Sequence, residues 1–375
     1  MVSTRNSKWR RYIKRMNKYD IWFSLVKLTP KIKLKLINDF HNTEELWYYG
    51  VHSKKSEYFN NNLINLLTNA WNENEIANVK ESLEINEIST IAYYEEGYPK
   101  KLKDYDDAPY TLFFKGNILP LNEGYNISIV GSRKYSSYGK DVTKIICSDL
   151  CMNNINIISG MARGIDTFAH ESALNGGGYT CAVLGSGLDI VYPKENISIF
   201  NKIIKSGCVI SEFLPGTPPY AYNFPQRNRI ISALSDIIIV VEAGEKSGSL
   251  ITANLALEQG KDVMAVPGSI FSIESKGTNK LIKDGAFPLT CSSDIFNLMG
   301  TTMKCKGNTT EICFNSKIQK EIYDMINHSP VHINDIIRIT NIDIKQLYEV
   351  LFEMQTKNEI LCLAGNYYVR VHNKI

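Results

Sequence analysis

The feature that most constrains this chain is an alternation, running from about residue 126 to 284, of short continuous apolar runs with amphipathic helical patterns. Ile127-Ser-Ile-Val130 comes first and leads to a helical pattern near 138–152, with Val142, Ile145, Ile146 and Leu150 on one face. The runs at 155–158, 180–184, 208–211, 236–241 and 263–266 follow, with helical patterns at about 164–174, 195–205, from 225, 250–259 and 278–284. Apolar runs without polar alternation are strands covered on both faces. Their regular interleaving with helices predicts an α/β fold built on a doubly wound, mainly parallel sheet.

Other patterns flank this core. Residues 1–18 carry seven Lys/Arg and no acid, so they are read as a basic flexible arm. The chain's net charge is only +3, which leaves the rest at −4, so binding of a polyanion by the body has to come from a focused patch. Residues 19–87 have a helical pattern, with starts at Thr29-Pro30 and at a Thr43 cap. At 91–94 and 111–114 the period changes to that of strands, giving connected extended elements ahead of the first core strand; the core is placed at 88–300. A polar linker at 301–314 leads to a separate unit at 315–375. There, three short helical patterns and a hairpin around Gly365-Asn366 give a winged-helix arrangement. Its third helix offers Lys345 and Gln346 against Glu349 and Glu353, which favours a protein-contact or structural role over reading a DNA groove.

At 375 residues, 44% of them hydrophobic, the chain can bury more than one core, and no apolar run approaches the roughly 18 residues of a membrane span. None of the eight cysteines forms a CxxC pair and several lie in apolar runs, as free thiols do in a reducing compartment; the expectation is a cytoplasmic protein with no membrane partner.

In open parallel sheets ligands bind beyond the carboxyl ends of the strands, and the chemistry-bearing residues fall there. They are Gly131, Ser132 and Arg133 after the first core strand, and Ser159, Gly160, Arg163, Gly164 and Asp166 after the second, with His170 one turn on. Gly185, Ser186, Gly187 and Lys194 follow the third, and the helix beyond the fourth opens with Phe224-Pro-Gln-Arg227-Asn-Arg229. Glu242, Ser247, Gly248 and Ser249 follow the fifth. Glycine turns opening helices present unpaired N–H groups and the positive end of a helix dipole to an anion. Arg133, Arg163, Lys194 and one or both of Arg227 and Arg229 are expected to converge on one rim. Glycines at strand ends also serve plain tight turns, one of the two helix arginines is expected in a structural ion pair, and Asp166 and His170 suit shaping or packing roles. Glu242 is the carboxylate most like an enzyme's, and it can equally accept hydrogen bonds from neighbouring turns.

Absences narrow the chemistry. The chain has no GxxxxGK[ST] loop, no third glycine after Gly185-Ser-Gly187, no nucleophile elbow and no metal-ligand spacing, so no cofactor or metal is expected. Tyr135, Tyr138, Tyr192, Tyr220, Tyr222 and Phe224 share these loops. Aromatic rings interleaved with cations suit single-stranded nucleic acid, whose bases stack.

These residues resemble the bacterial DNA-processing protein A (DprA, or Smf) family. The resemblance rests on Tyr98-Pro-Lys-Lys-Leu102, Leu112-Phe-Phe-Lys-Gly116, Val130-Gly-Ser-Arg133, Ser159-Gly-Met-Ala-Arg-Gly-Ile-Asp166, Ala182-Val-Leu-Gly-Ser-Gly187, Phe224-Pro-Gln-Arg-Asn-Arg-Ile-Ile231 and Ser247-Gly-Ser-Leu-Ile-Thr-Ala253. It implies an extended Rossmann-like core between a SAM-like helical domain and a winged helix. It also implies a homodimer that binds and protects incoming single-stranded DNA, without hydrolysing nucleotides, and loads the RecA recombinase during natural transformation. Arg133 and Lys194 match positions that the family uses on DNA. The alternative is an enzyme of the phosphoribohydrolase type on a related fold, with Glu242 and Ser247-Gly-Ser249 at the nucleotide; the chain lacks the Pro-Gly-Gly-x-Gly-Thr block of those enzymes.

Overall fold

The computed structural model describes residues 16–53, 59–303, 316–326, 330–340, 342–356 and 359–370. Most of the expected basic arm and most of the 301–314 linker lie outside the described residues. The chain divides into two compact units, Met1–Met303 and Lys304–Ile375.

Among the described residues the first unit begins with five α-helices, α1 (Lys18–Leu25), α2 (Pro30–Phe40), α3 (Thr43–Trp47), α4 (Asn61–Asn69) and α5 (Glu73–Ile85), with a π-helical turn Tyr48–His52 after α3. Four of them start on an asparagine. The side chains of Asn17, Asn42, Asn60 and Asn72 accept hydrogen bonds from N–H groups of the first turn, satisfying donors with no helical partner. The cap of α3 is therefore Asn42, one residue before the Thr43 expected from sequence. Thr43 instead turns inward, its hydroxyl donating to the buried Asp20 carboxylate at 2.8 Å. The same oxygen accepts from Tyr110 at 3.0 Å and Tyr94 at 3.2 Å, which ties the helices to the first two strands.

Those strands are β1 (Ser89–Ala92) and β2 (Thr111–Gly116). The alternation read from sequence follows as β3 (Asn126–Val130), α6 (Ser137–Met152), β4 (Asn156–Ser159), α7 (Ile165–Asn175), β5 (Thr180–Val183), α8 (Ile197–Ser206), β6 (Cys208–Ser211) and α9 (Asn223–Leu234). It continues with β7 (Ile237–Val240), α10 (Gly248–Glu258), β8 (Asp262–Ala265), α11 (Lys276–Lys283), β9 (Phe287–Pro288) and α12 (Ser292–Leu298). Together they form one nine-stranded sheet in the order β1-β2-β6-β5-β4-β3-β7-β8-β9. The seven strands from β6 to β9 run parallel, whereas β2 adds to β6 antiparallel and β1 to β2 antiparallel.

Alternate residues of the central strands point to opposite faces. Ile127, Ile129, Ile237 and Ile239 pack with residues of α6, α7 and α12, and Val130, Ile158, Ile238 and Val240 with residues of α9, α10 and α11. Helices cover both faces, so the strands are continuously apolar. The mainly parallel, doubly wound sheet expected from sequence is present, extended at one edge by β1 and β2.

The second unit comprises α13 (Lys317–Met325), β10 (Val331–His332), α14 (Ile333–Thr340), α15 (Ile344–Thr356), β11 (Ile360–Leu363) and β12 (Tyr367–Arg370). Its three strands pair in the order β10-β12-β11, around a core that includes Ile322, Ile336, Leu347, Leu351 and Tyr368.

Candidate nucleic-acid interface

Between β3 and β7 the winding changes direction. The chain leaves β3 toward β4 on one side and β7 toward β8 on the other, so the loops at their carboxyl ends diverge and leave a crevice. The Gly131-Ser-Arg133 turn sits at that point. Ser132 N–H donates to the Glu242 carbonyl at 2.7 Å, joining the loop after β3 to the loop after β7. Ile165 N–H donates to the Ser132 carbonyl at 3.3 Å, fixing the start of α7 on the same turn. The Ser132 hydroxyl donates to Glu274, which brings in the loop after β8. The resulting cleft, of about 960 Å³, is lined by five cationic side chains (Arg133, Lys134, Arg227, Lys246 and Lys276) against the carboxylates Asp166, Glu245 and Glu274. The N-termini of α9 and α10 open onto it through Phe224 and through Ser247, Gly248 and Ser249.

Arg133 is exposed and its guanidinium lies over the Phe224 ring, 5.8 Å from the centroid. No ion pair holds it among the described residues, so its charge is available to a ligand. Tyr192 packs against the same Phe224, with centroids 5.7 Å apart.

The other charged groups have internal duties. Arg227 is 4% exposed, and its guanidinium donates to the Gly160 carbonyl at 2.6 Å and to that of Val183, bracing the carboxyl ends of β4 and β5. A Cβ at Gly160 would stand 2.6 Å from this guanidinium, so glycine is needed there for close approach. Arg229 is also buried; it is bonded to Glu212 and lies 3.7 Å from Asp107. Arg163 is exposed and paired with Glu195 at 2.6 Å. Asp166 accepts from the Gly160 and Ala162 N–H groups at 3.1 and 3.3 Å; burial raises its pKa, against the pull of Arg227 and of those N–H groups. His170 is fully buried and shares a 2.7 Å hydrogen bond with Thr180 through Nδ1. Burial, and then the charge of Arg227, lower its pKa to about 3, so the ring is neutral.

Both carboxylate oxygens of Glu242 accept from Ser136, one from its N–H at 2.9 Å and one from its hydroxyl. Ser136 in turn caps α6 by accepting from Gly139 N–H at 3.1 Å. The carboxylate that the sequence marks as most enzyme-like is thus 2% exposed and secures the start of a helix, and it is not among the groups lining the cleft.

Of the residues proposed from sequence, the structure brings Gly131, Ser132, Arg133, Asp166, Phe224, Arg227, Ser247, Gly248 and Ser249 together around the cleft. Ser159, Gly160 and Gly164 are buried beneath it, with the Ser159 hydroxyl donating to the Ile129 carbonyl at 2.6 Å. Gly185, Ser186 and Gly187 form a buried packing turn: Ser186 donates to the Ile190 carbonyl at 3.0 Å, and its own carbonyl accepts from Ser211 at 2.7 Å. Arg163, Lys194 and Arg229 do not line the cleft. The expected convergence of cations thus holds for Arg133 and, from below, Arg227.

Residues 89–300 match the model of the DNA recombination-mediator protein A family. The chain belongs to this family. It is 43% identical over 209 residues to DNA processing protein DprA of Bacillus subtilis, covering 56% of this chain and 70% of that protein. It is 36% identical over 271 residues to protein Smf of Escherichia coli, covering 72% of each. Among solved structures, DprA from Streptococcus pneumoniae superposes with a TM-score of 0.67 at 35% identity, over 76% of this chain and 98% of that one. DNA processing protein A from Helicobacter pylori, whose structure describes a single-stranded DNA binding mode, superposes with a TM-score of 0.52 at 31% identity, over 56% of this chain and 95% of that one.

Sequence reasoning missed Lys134, Lys246 and Lys276. The signal for the last is present in the sequence: Lys276 follows the sixth core strand, where strand-end loops carry ligand groups. Lys134 and Lys246 adjoin turns that the rule had already marked, and a lysine next to a turn carries no mark of which way it points.

Proposed function

We propose that this member of the DNA recombination-mediator protein A family binds single-stranded DNA in the cleft between β3 and β7, with Arg133 on a phosphate. The observation that carries the reading is the cleft at the switch point, walled by Arg133, Lys134, Lys246 and Lys276 beside the Tyr192–Phe224 pair. Free guanidinium and ammonium groups neutralise phosphates, and neighbouring rings accept bases whatever the sequence. The engagement of Glu242 by Ser136 supports holding the strand over cleaving it, and we assign no nucleotide hydrolysis to the site. The family's description as a recombination mediator supports the further steps: a homodimer in the cytoplasm shields incoming strands and passes them to the RecA recombinase, as in natural transformation. Lys194, exposed two residues after the cleft-lining Tyr192, is assigned to the strand outside the cleft.

The test is a binding titration of single- and double-stranded oligonucleotides across a salt series, with wild type and Arg133→Ala. Wild type is expected to prefer the single strand. The variant is expected to bind every sequence more weakly, with its log–log salt slope reduced by about 0.7, the value for one phosphate contact on a single strand. Unchanged affinity and slope would remove Arg133 from the interface.

A further inference from the structure

The loop between β6 and α9 carries two tyrosines that the cleft does not use. Tyr220 and Tyr222 stack on each other with centroids 5.3 Å apart and ring planes at 12°. They are nevertheless 47% and 69% exposed. The backbone that carries them is held by several hydrogen bonds. Thr217 N–H donates to the Leu214 carbonyl at 3.1 Å, Tyr220 N–H to Pro218 at 2.8 Å and Asn223 N–H to Tyr220 at 3.0 Å. The Asn223 side chain, itself 2% exposed, donates to the carbonyls of Gly185 at 3.0 Å and Pro218 at 3.3 Å. Gly216 N–H is held by the Asp189 carboxylate at 3.0 and 2.9 Å. The rings thus stand on a braced, proline-framed loop whose ordering is complete before any ligand arrives.

Position supplies the ligand. Pro219 and Ala221, interleaved with the two tyrosines, line the cleft, as does Phe224, over which Arg133 lies. The geometry points to Tyr222, backed by Tyr220, as a stacking platform for a nucleobase of the strand just outside the cleft. The pair already forms two layers of a stack, and the more exposed outer ring accepts a third flat, apolar layer. A base is such a layer, and its attached phosphates remain within the field of Arg133. The platform recognises a π-face and not a hydrogen-bonding edge, so it holds any base. It lengthens the footprint of the site without adding charge. This inference rests on the reading of the cleft as a single-strand site, and the test separates the two.

The full chain is titrated with a fluorescent oligothymidylate, and with the same oligonucleotide carrying consecutive abasic residues, across a salt series. The variants are Tyr222→Ala, Tyr222→Phe and Arg133→Ala. Tyr222→Ala is expected to weaken binding of the base-bearing strand by roughly 5- to 150-fold, the range for loss of one stacked base, with the salt slope unchanged. It is also expected to abolish the part of the preference for bases over abasic residues that wild type draws from this ring, and Tyr222→Phe to keep it. Arg133→Ala is expected to do the reverse, lowering the slope and sparing that preference. Wild-type affinity in Tyr222→Ala alongside weakened Arg133→Ala overturns the platform and leaves the cleft standing. Wild-type affinity in both variants overturns the cleft and the platform with it.

Discussion

Two arginines with the same local signal, a basic residue at a helix start or strand end, end in opposite situations. Arg133 leaves β3 at the switch point and stays exposed, whereas Arg227 and Arg229 lie in α9, which packs on the sheet beside α10 with residues 227–234 all buried. Two positions apart, the helix arginines point about 200° away from each other, and each meets protein. No pattern within α9 announces that both arginines are buried; the sheet ends at Gly160 and Val183, and Glu212 and Asp107, decide that. His170 is a second residue whose situation tertiary structure decides. The Thr180 hydroxyl donates to the Ile157 carbonyl at 2.9 Å, so its oxygen accepts from Nδ1–H, and buried Nε2 has no partner among the described residues. Its pKa near 3 lies below the unfolded value of about 6.5. Between those limits the unfolded chain binds the extra proton, so this residue's contribution to stability is intact above pH 6.5 and lost as pH falls toward 3. Replacing it by leucine is expected to shift the difference in unfolding free energy between variant and wild type in the variant's favour as pH falls from 6.5 to 4.5, by up to about 1.4 kcal/mol per pH unit. Urea titrations at several pH values measure this, and a difference independent of pH contradicts it.

At the scale of elements, what the sequence makes legible is what buried parallel strands impose locally. Six apolar runs gave the six strands β3 to β8, each followed by its helix, because strands covered on both faces need unbroken apolar residues. Pairing partners leave no such local trace. The extended pieces at 91–94 and 111–114 read as strands, but the pairing of β2 with β6 and of β1 with β2 depends on an antiparallel edge that local pattern does not encode, and two-residue β9 is too short to give any period. The junction between elements that matters most to the cleft is the start of α7. Gly164 caps it at φ 81°, where a Cβ would stand 2.3 Å from the Ser132 carbonyl and 3.0 Å from Arg133 Cα. Gly164→Ala is expected to cost at least about 1–3 kcal/mol, from the left-handed backbone alone, and to displace the Gly-Ser-Arg turn so that DNA affinity falls too. Gly177 has a similar φ of 68° with nothing within 4 Å, so Gly177→Ala is expected to cost less and to leave binding intact. Denaturation midpoints and oligonucleotide titrations on the pair check this; equal effects of the two on binding contradict it.

At the scale of the molecule, the division at residue 303 separates chemistry as well as contacts. Every residue of the cleft precedes it, and so do the edge strands and helices that cover the sheet's two faces. Among the described residues the first unit has four apolar cores, and the second has one of its own. Its third helix, α15, suits a DNA groove poorly. Lys345 is opposed along the helix by Glu349, and Ile344, Tyr348 and Phe352 are 55%, 46% and 68% exposed at four-residue intervals, where a groove reader carries polar and basic groups. We propose a protein-contact or structural role for this unit. A chain ending at Met303 is accordingly expected to melt cooperatively and to bind single strands with the affinity and salt slope of the full chain. Circular dichroism establishes that the truncated chain is folded, and the titration used for Arg133→Ala measures its binding. A folded truncation with a shallower salt slope would place phosphate contacts on the second unit, since each contact removed lowers the slope by about 0.7; an unchanged slope confines the electrostatic interface to residues before 304.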